Sequence, residues 1–374
     1  MIRNRRAQAQ FCVFLFSMVM LFPYPAWGAE NKSTAGLSVT AGSALLMDVE
    51  SGDVLFEKNG YEKRPPASTT KMLTAILGLE LGHPGEIVTV SSKAAAVGQA
   101  TLHLDPGEKI MLYELITGAL LHSGNDACVA IGEHIAGSEE KFVELMNTKA
   151  KLIGAVNTHF INTNGLPNKD HYSTAYDLAL IARYGLKNPS FASITRQKET
   201  EIRFLEPDVM MDLRNTNKLL WSYPYADGVK TGTTTAAGKC LVASATKDGR
   251  QLVAVVLHAA DRFGDAKKLL DWGFGQTQLV KIAQAGQSMA KFPLDNGQAV
   301  DVFTPLPLEV NIPVKDVSKL SFQVVWSKEK NLTIKAGEQL GLGEVILDNK
   351  VIKKVPLLSE MDVEQKTSLW SLFK

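Results

Sequence analysis

The chain has 374 residues, with 40 Lys and Arg against 39 Asp and Glu and a formal net charge of +1 at pH 7. That length leaves room for two domains of ordinary size, and the near-cancellation of charge speaks against a nucleic-acid partner. Three cysteines in so long a chain do not make a disulfide framework.

Residues 1–28 read as an export signal. MIRNRR carries three arginines and is followed by the apolar run FCVFLFSMVMLF, which has the length of a secretory core and falls short of the ~20 residues of a spanning helix. Ala26 and Gly28 flank Trp27 and suit cleavage after Gly28. Cys12 lies inside the run, away from the cleavage point, which argues against a lipid-anchored N-terminus. The expected location is therefore the outer face of the cytoplasmic membrane or the cell envelope beyond it. Cys128 and Cys240 sit among apolar neighbours, as small hydrophobes do.

Two apolar runs about Glu50-Ser51-Gly52-Asp53 predict a β-hairpin over 43–58. Helical spacing of apolar residues then predicts helices over 69–81, 112–121, 126–136 and 139–153. YSTAYD, at 172–177, opens another helix with a serine cap and an acid suited to the positive helix end. After Gly228 the pattern returns to strands: GVKTGTT, then KCLVASATKDGRQLVAVVLHAA folded about Lys247-Asp248-Gly249-Arg250, with a last helix over 265–274.

Strands at both ends of 29–277 with helices between them predict an α+β domain whose antiparallel sheet joins the start of the segment to its end. Short alternating runs over 278–356 (AVDVF, LEVNIPV, LSFQVVW, EVILDNKVIKKVPL) predict a small C-terminal β-sandwich. Residues 357–374 are written as an amphipathic helix with Leu358, Met361, Leu369, Leu372 and Phe373 toward one side and Trp370 beside them. Such a tail suits a membrane interface. Its acidic residues Glu360, Asp362 and Glu364 weigh toward packing on the β-domain or on another chain.

Chemistry concentrates in three stretches. In Ser68-Thr69-Thr70-Lys71, residues three apart share a helix face, so the amine reaches the hydroxyl. A serine needs a neighbouring base, and a lysine serves as one when burial or another cation lowers its pKa. A helix start adds free N–H groups for an oxyanion. Taken alone, the pattern equally describes a helix cap with an exposed lysine. Ser123-Gly124-Asn125 follows, with two polar side chains that an extended segment would point the same way. Lys230-Thr231-Gly232-Thr233 comes third, where Gly232 lets a substrate backbone approach the strand edge. The seven histidines show no metal spacing, and no metal or cofactor is expected.

In this order the three motifs resemble the signature of penicillin-binding proteins and serine β-lactamases. SGNDACVAI, HFINTNGL, YSTAYDLALIARY, DGVKTGTT and KKLLDWGF are similar to the low-molecular-mass D-alanyl-D-alanine carboxypeptidases of peptidase family S11. The resemblance implies a penicillin-binding protein/β-lactamase-like transpeptidase fold with a β-rich second domain. It also implies peptidoglycan stem peptides ending in D-Ala-D-Ala as substrates and β-lactams as inhibitors.

Carried over residue by residue, it makes Ser68 the acylated nucleophile and Lys71 its base. Ser123 and Lys230 would relay a proton to the leaving D-alanine, and Asn125 would hold the substrate amide. The N–H groups of Ser68 and Thr233 would form the oxyanion hole. Thr231 and Arg262, the latter expected in a loop ahead of Lys267-Lys268, would bind the terminal carboxylate. FINTNGLPNKD, over 160–170, offers no glutamate of the kind that class A β-lactamases use for deacylation, so β-lactamase activity is the weaker alternative. A non-catalytic peptidoglycan binder is another, disfavoured by three intact motifs.

Overall fold

The computed structural model describes residues 37–295, 297–327 and 333–363. The chain opens with strands β1 (Ser43–Asp48) and β2 (Val54–Lys58), then helix α1 (Lys71–Leu81), strand β3 (Ile87–Thr89), a short helix α2 (Ser92–Ala95) and strand β4 (Lys109–Met111). Helices α3 (Leu112–Leu121), α4 (Asn125–Ala136), α5 (Glu139–Leu152), α6 (Ala175–Leu186) and α7 (Pro189–Thr195) follow. Next come β5 (Glu199–Glu206), β6 (Asp208–Arg214), α8 (Leu219–Ser222), β7 (Ala226–Thr234), β8 (Gly238–Lys247), β9 (Arg250–Ala259) and α9 (Arg262–Gln276).

The antiparallel sheet runs β2-β1-β9-β8-β7 and does join the two ends of this segment, with Leu45 opposite Val255 and Val242 opposite Val255 from the other side. Asp248 and Gly249 take positive φ (50° and 78°) in the β8–β9 turn, the primed geometry that matches strand twist. Side-chain alternation then builds two cores. Leu45, Met47, Val242, Val253 and Val255 pack on the helices led by α1, α3, α4 and α6. Ala44, Leu46, Leu241, Ala243, Ala254 and Val256 face the opposite way, onto Ala266, Leu269 and Leu270 of α9. Each fully buried leucine on that seam contributes roughly 2 kcal/mol.

Most helices begin within a residue or two of their predicted starts, with two instructive differences. Ser68 lies before α1, in a 3₁₀ turn over Ala67–Thr70, and Lys71 is the first α-helical residue. The cap of α6 is Thr174 and not Ser173: Asp177 N donates to Thr174 Oγ1 at 3.0 Å. The hairpin β5–β6, which joins β3 and β4 in a four-stranded sheet, has no counterpart in the sequence reading. Its residues are largely exposed, so apolar spacing carries little signal there.

Strands β10 (Thr277–Ala283) and β13 (Leu308–Pro313) pair with each other. Beside them β11 (Ser288–Pro293), β12 (Ala299–Phe303), β14 (Leu320–Trp326), β15 (Gln339–Leu347) and β16 (Lys350–Ser359) form a five-stranded sheet ordered β11-β12-β16-β15-β14. The two sheets share a core of Leu308, Val310, Ile312 and Val345, the layered β arrangement that the alternating runs predicted. Residues 357–359 belong to β16 and Val363 bridges Ile334. These residues are therefore not helical, because their backbone groups are taken by strand partners. The remainder of the expected tail helix, 364–374, lies outside the described residues, as does the export signal.

Arg250 ties the two β systems together. Its Nε donates to buried Asp48 at 2.8 Å, its Nη1 to Thr277 O at 2.7 Å, and its Nη2 to Asn311 Oδ1. Asn311 in turn donates to Ser51 Oγ at 2.7 Å and to Asp53. Replacing Arg250 by methionine leaves a buried carboxylate without its cation, a defect that costs ~3 kcal/mol or more. Chemical denaturation of the Arg250→Met protein should show that loss as a lower midpoint.

Candidate active site

Pro65 and Pro66 lead into the 3₁₀ turn, where Ala67 adopts φ +50°, a left-handed backbone conformation that costs an L-residue about 1 kcal/mol. The turn brings Ser68 Oγ within 3.0 Å of Lys71 Nζ. Lys71 is wholly buried, and its amine also donates to Asn125 Oδ1 at 2.7 Å and to Asn164 O at 2.6 Å. Three ammonium donors thus meet three acceptors. Burial brings the Lys71 pKa down to about 8. On losing its proton the amine keeps two N–H bonds, enough for Asn125 and Asn164, and its lone pair turns to the Ser68 hydroxyl.

Ser123 stands between α3 and α4 at φ +74°, and Asn125 is the first residue of α4. The extended Ser-x-Asn segment expected from sequence is therefore a left-handed turn running into a helix. Asn125 Nδ2 donates to Gly98 O at 2.9 Å, which fixes the side-chain oxygen on Lys71. Asp126 holds the entering loop by accepting from the Leu102 and Leu104 N–H groups.

Strand β7 is the edge of the central sheet. Lys230 on it is buried, and its Nζ donates to Thr231 O at 3.1 Å. Burial first, then the Lys71 charge, pushes its pKa well below the ordinary lysine value. Thr231 Oγ1 lies 2.6 Å from Thr216 Oγ1. Gly232 also makes room for the protein's own chain: a Cβ there would stand 2.9 Å from Ser68 N and 3.0 Å from Ala67 Cβ. Arg262 is the first residue of α9 and not part of a loop; Asp261 caps that helix. Its Nη1 donates to Gly232 O at 2.9 Å and Thr233 Oγ1 at 2.8 Å. Its other guanidinium N–H groups have no hydrogen-bond partner among the described residues.

All nine residues singled out from sequence are thus carried on three neighbouring supports: the Ser68 turn, the α3–α4 junction and the β7 edge with α9 behind it. A cleft of about 290 Å³ lined by Pro66, Ala67, Gly165, Leu166, His171 and Thr234 opens beside the turn. A half-buried serine bonded to a buried lysine, a second buried lysine and an open sheet edge are suited to acyl transfer from a peptide bound as an added strand.

A family model described as D-alanyl-D-alanine carboxypeptidase matches residues 29–261. The chain belongs to that family. A second match, to the penicillin-binding protein 5 C-terminal domain, spans 278–365. Among curated relatives of this carboxypeptidase family member, D-alanyl-D-alanine carboxypeptidase DacF of Bacillus subtilis is 35% identical, over 93% of this chain and 92% of its own. DacC of Escherichia coli is 35% identical, over 96% and 92%. In three dimensions the chain is similar to penicillin binding protein 5 from Haemophilus influenzae, with TM-score 0.81, 30% identity, and coverage of 88% of this chain and 98% of that one.

Sequence reasoning passed over Asn164, Gly165, Thr216 and His171 as site residues of this carboxypeptidase. Asn164 acts through its main-chain oxygen, which leaves no side-chain signature. Gly165, at φ +88°, presses so closely on the turn that a Cβ would lie 2.0 Å from Ala67 O. The stretch HFINTNGL carries Asn164 and Gly165, and in sequence it speaks only through its likeness to the family and its lack of a glutamate. Cys128 and Cys240 are buried free thiols, as expected of small hydrophobes.

Proposed function

We propose that this protein removes the terminal D-alanine from peptidoglycan stem peptides by acyl transfer through Ser68. Lys71 in its neutral form takes the Ser68 proton as Oγ attacks the carbonyl of the penultimate D-alanine. The tetrahedral oxyanion is received by the N–H groups of Ser68 and Thr233. Ser123 and Lys230 return a proton to the leaving amine, the C–N bond breaks, and D-alanine departs. Water then attacks the ester with Lys71 again as base. Thr231 and Arg262 hold the substrate carboxylate, and Asn125 both steadies Lys71 and faces the substrate amide. The cleft beside Ala67 has room for stem residues that precede the cut bond.

A β-lactam acylates the same serine, but its amine stays tethered in the site, so deacylation is slow. The observation that carries this reading is the Lys71 amine held between Ser68 Oγ, Asn125 and Asn164 in full burial. The 160–170 segment supplies a main-chain acceptor to Lys71 and no glutamate, which supports peptide hydrolysis over β-lactam hydrolysis.

The division that goes with this function is a signal over 1–28, a catalytic unit over 29–277, and a β-rich unit beginning at 278 and running at least to Val363. Export by the signal places the enzyme in the cell envelope, facing peptidoglycan, and residues 364–374 serve as a contact to the membrane surface. Release of D-alanine from an acylated Lys-D-Ala-D-Ala peptide, compared between the purified protein and its Ser68→Ala variant, is the direct test. Release and β-lactam labelling should both vanish in the variant; turnover that survives Ser68→Ala would refute the acyl-enzyme.

A further inference from the structure

Ser68 N–H and Ala67 C=O belong to one planar peptide group and point in opposite directions. Fixing the carbonyl therefore aims the N–H. The carbonyl is fixed from behind: Thr70 Oγ1 donates to Ala67 O at 2.9 Å, and the same hydroxyl lies 2.9 Å from His171 Nε2. The His171 tautomer is set by its other nitrogen, because Ile161 N donates to Nδ1 at 3.1 Å. Nδ1 is thus the acceptor and Nε2 carries the proton. A single directed chain results, from Ile161 N–H into His171, from His171 Nε2–H into Thr70 Oγ1, and from Thr70 O–H into Ala67 O. His171 and Thr70 are both buried. Burial holds the His171 pKa down to about 4, with the nearby His159 and Lys71 charges adding to it, so the ring stays neutral and the chain keeps its direction at neutral pH.

We propose that His171 and Thr70 are positioning residues for the oxyanion hole, aiming and polarising the Ser68 N–H through the Ala67 carbonyl. Neither touches substrate or the reacting atoms. The inference rests on the assignment of Ser68 N–H as an oxyanion donor. Because the oxyanion exists only beyond the ground state, loss of aim lowers kcat and leaves KM nearly unchanged. A bond accepted by the carbonyl also strengthens the N–H at the far end of the same peptide.

The test uses Thr70→Val and Thr70→Ser, which keep the shape and the hydroxyl respectively, together with His171→Leu and His171→Gln. The glutamine retains a donor for Thr70 and an acceptor for Ile161. Stem-peptide turnover is measured per β-lactam-labelled site, with Ser68→Ala as the background. Thr70→Val and His171→Leu should each lower kcat roughly tenfold at unchanged KM, a part of the ~10²–10³ lost when an oxyanion donor is removed outright. The double variant should lose little more than either single one, since both cut the same chain. Thr70→Ser and His171→Gln should restore most of kcat.

Wild-type kcat in folded Thr70→Val, or losses that multiply in the double variant, would overturn the proposal. Should His171→Leu fail to fold, the valine and serine variants at Thr70 decide the matter alone. Absence of any Ser68-dependent turnover in the wild type would strike the underlying enzymatic reading instead.

Discussion

Replacing Lys71 by methionine, which keeps the length of the side chain and removes the amine, should lower kcat/KM for stem-peptide hydrolysis by roughly 10³-fold, within the range for loss of a positioned general base. The wild type should also show a rise of kcat/KM with pH that the variant lacks. The sign follows from the chemistry: only the neutral amine accepts the Ser68 proton, and burial brings the Lys71 pKa down to about 8. Activity therefore climbs as pH approaches that value from below and levels off above it. A pH–rate profile measured from mildly acidic to mildly alkaline buffer reads this directly. A flat wild-type profile, or a Lys71→Met enzyme with most of its activity, would remove Lys71 from the role of base. Thermal melting in parallel separates lost chemistry from lost fold, because Asn125 Oδ1 and Asn164 O each lose a donor in the variant.

Gly165→Ala should be nearly as damaging, by a different route. The added methyl would stand 2.0 Å from Ala67 O and 2.4 Å from Ala67 C, at a backbone φ of +88°. Neither contact is survivable without movement, and the atoms that must move carry the nucleophile. A shift of about 1 Å at a reacting centre costs on the order of 10²-fold in rate. The expected result is a folded protein that is labelled by a β-lactam at least 10²-fold more slowly than the wild type. Unchanged labelling kinetics in Gly165→Ala would mean that the turn is held by something other than this contact.

The parts of the site that sequence made legible are those whose chemistry sits in consecutive side chains. Ser68 and Lys71 are three residues apart on one turn, and Lys230, Thr231, Gly232 and Thr233 are successive positions of one strand, so local spacing states their relation. Arg262 is legible as a residue but not as to place, because apolar spacing starts the helix at 265 and the Asp261 cap starts it three residues earlier. Asn164 and His171 were not legible as site members. Asn164 contributes a main-chain oxygen, and His171 acts through a bond to Thr70, 101 residues away along the chain; neither relation leaves a periodic trace. Gly232 shows the same limit from the other side. Sequence marks it as a point of close approach for a substrate backbone, and gives no sign that the Ser68 turn also packs against it.

The fold divides in a similar way. Buried strands and amphipathic helices announced themselves because burial writes apolar residues at fixed intervals, as in β8 and β9. The β5–β6 hairpin did not, since most of its side chains meet solvent and only Ile202, Phe204 and Leu213 are buried.

The nucleophile's turn is gripped between two residues that have no side chain: Gly165 against Ala67 O and Gly232 against Ser68 N. Every replacement of either glycine adds at least a methyl group where there is no space, so the walls nearest Ser68 are closed to mutational tinkering. A strain under antibiotic selection would gain nothing by varying them, because any change that expels the drug disarms the enzyme as well. Insensitivity to β-lactams in this protein would have to arise farther out, along the cleft lined by Leu166 and Thr234, or by dispensing with the enzyme altogether.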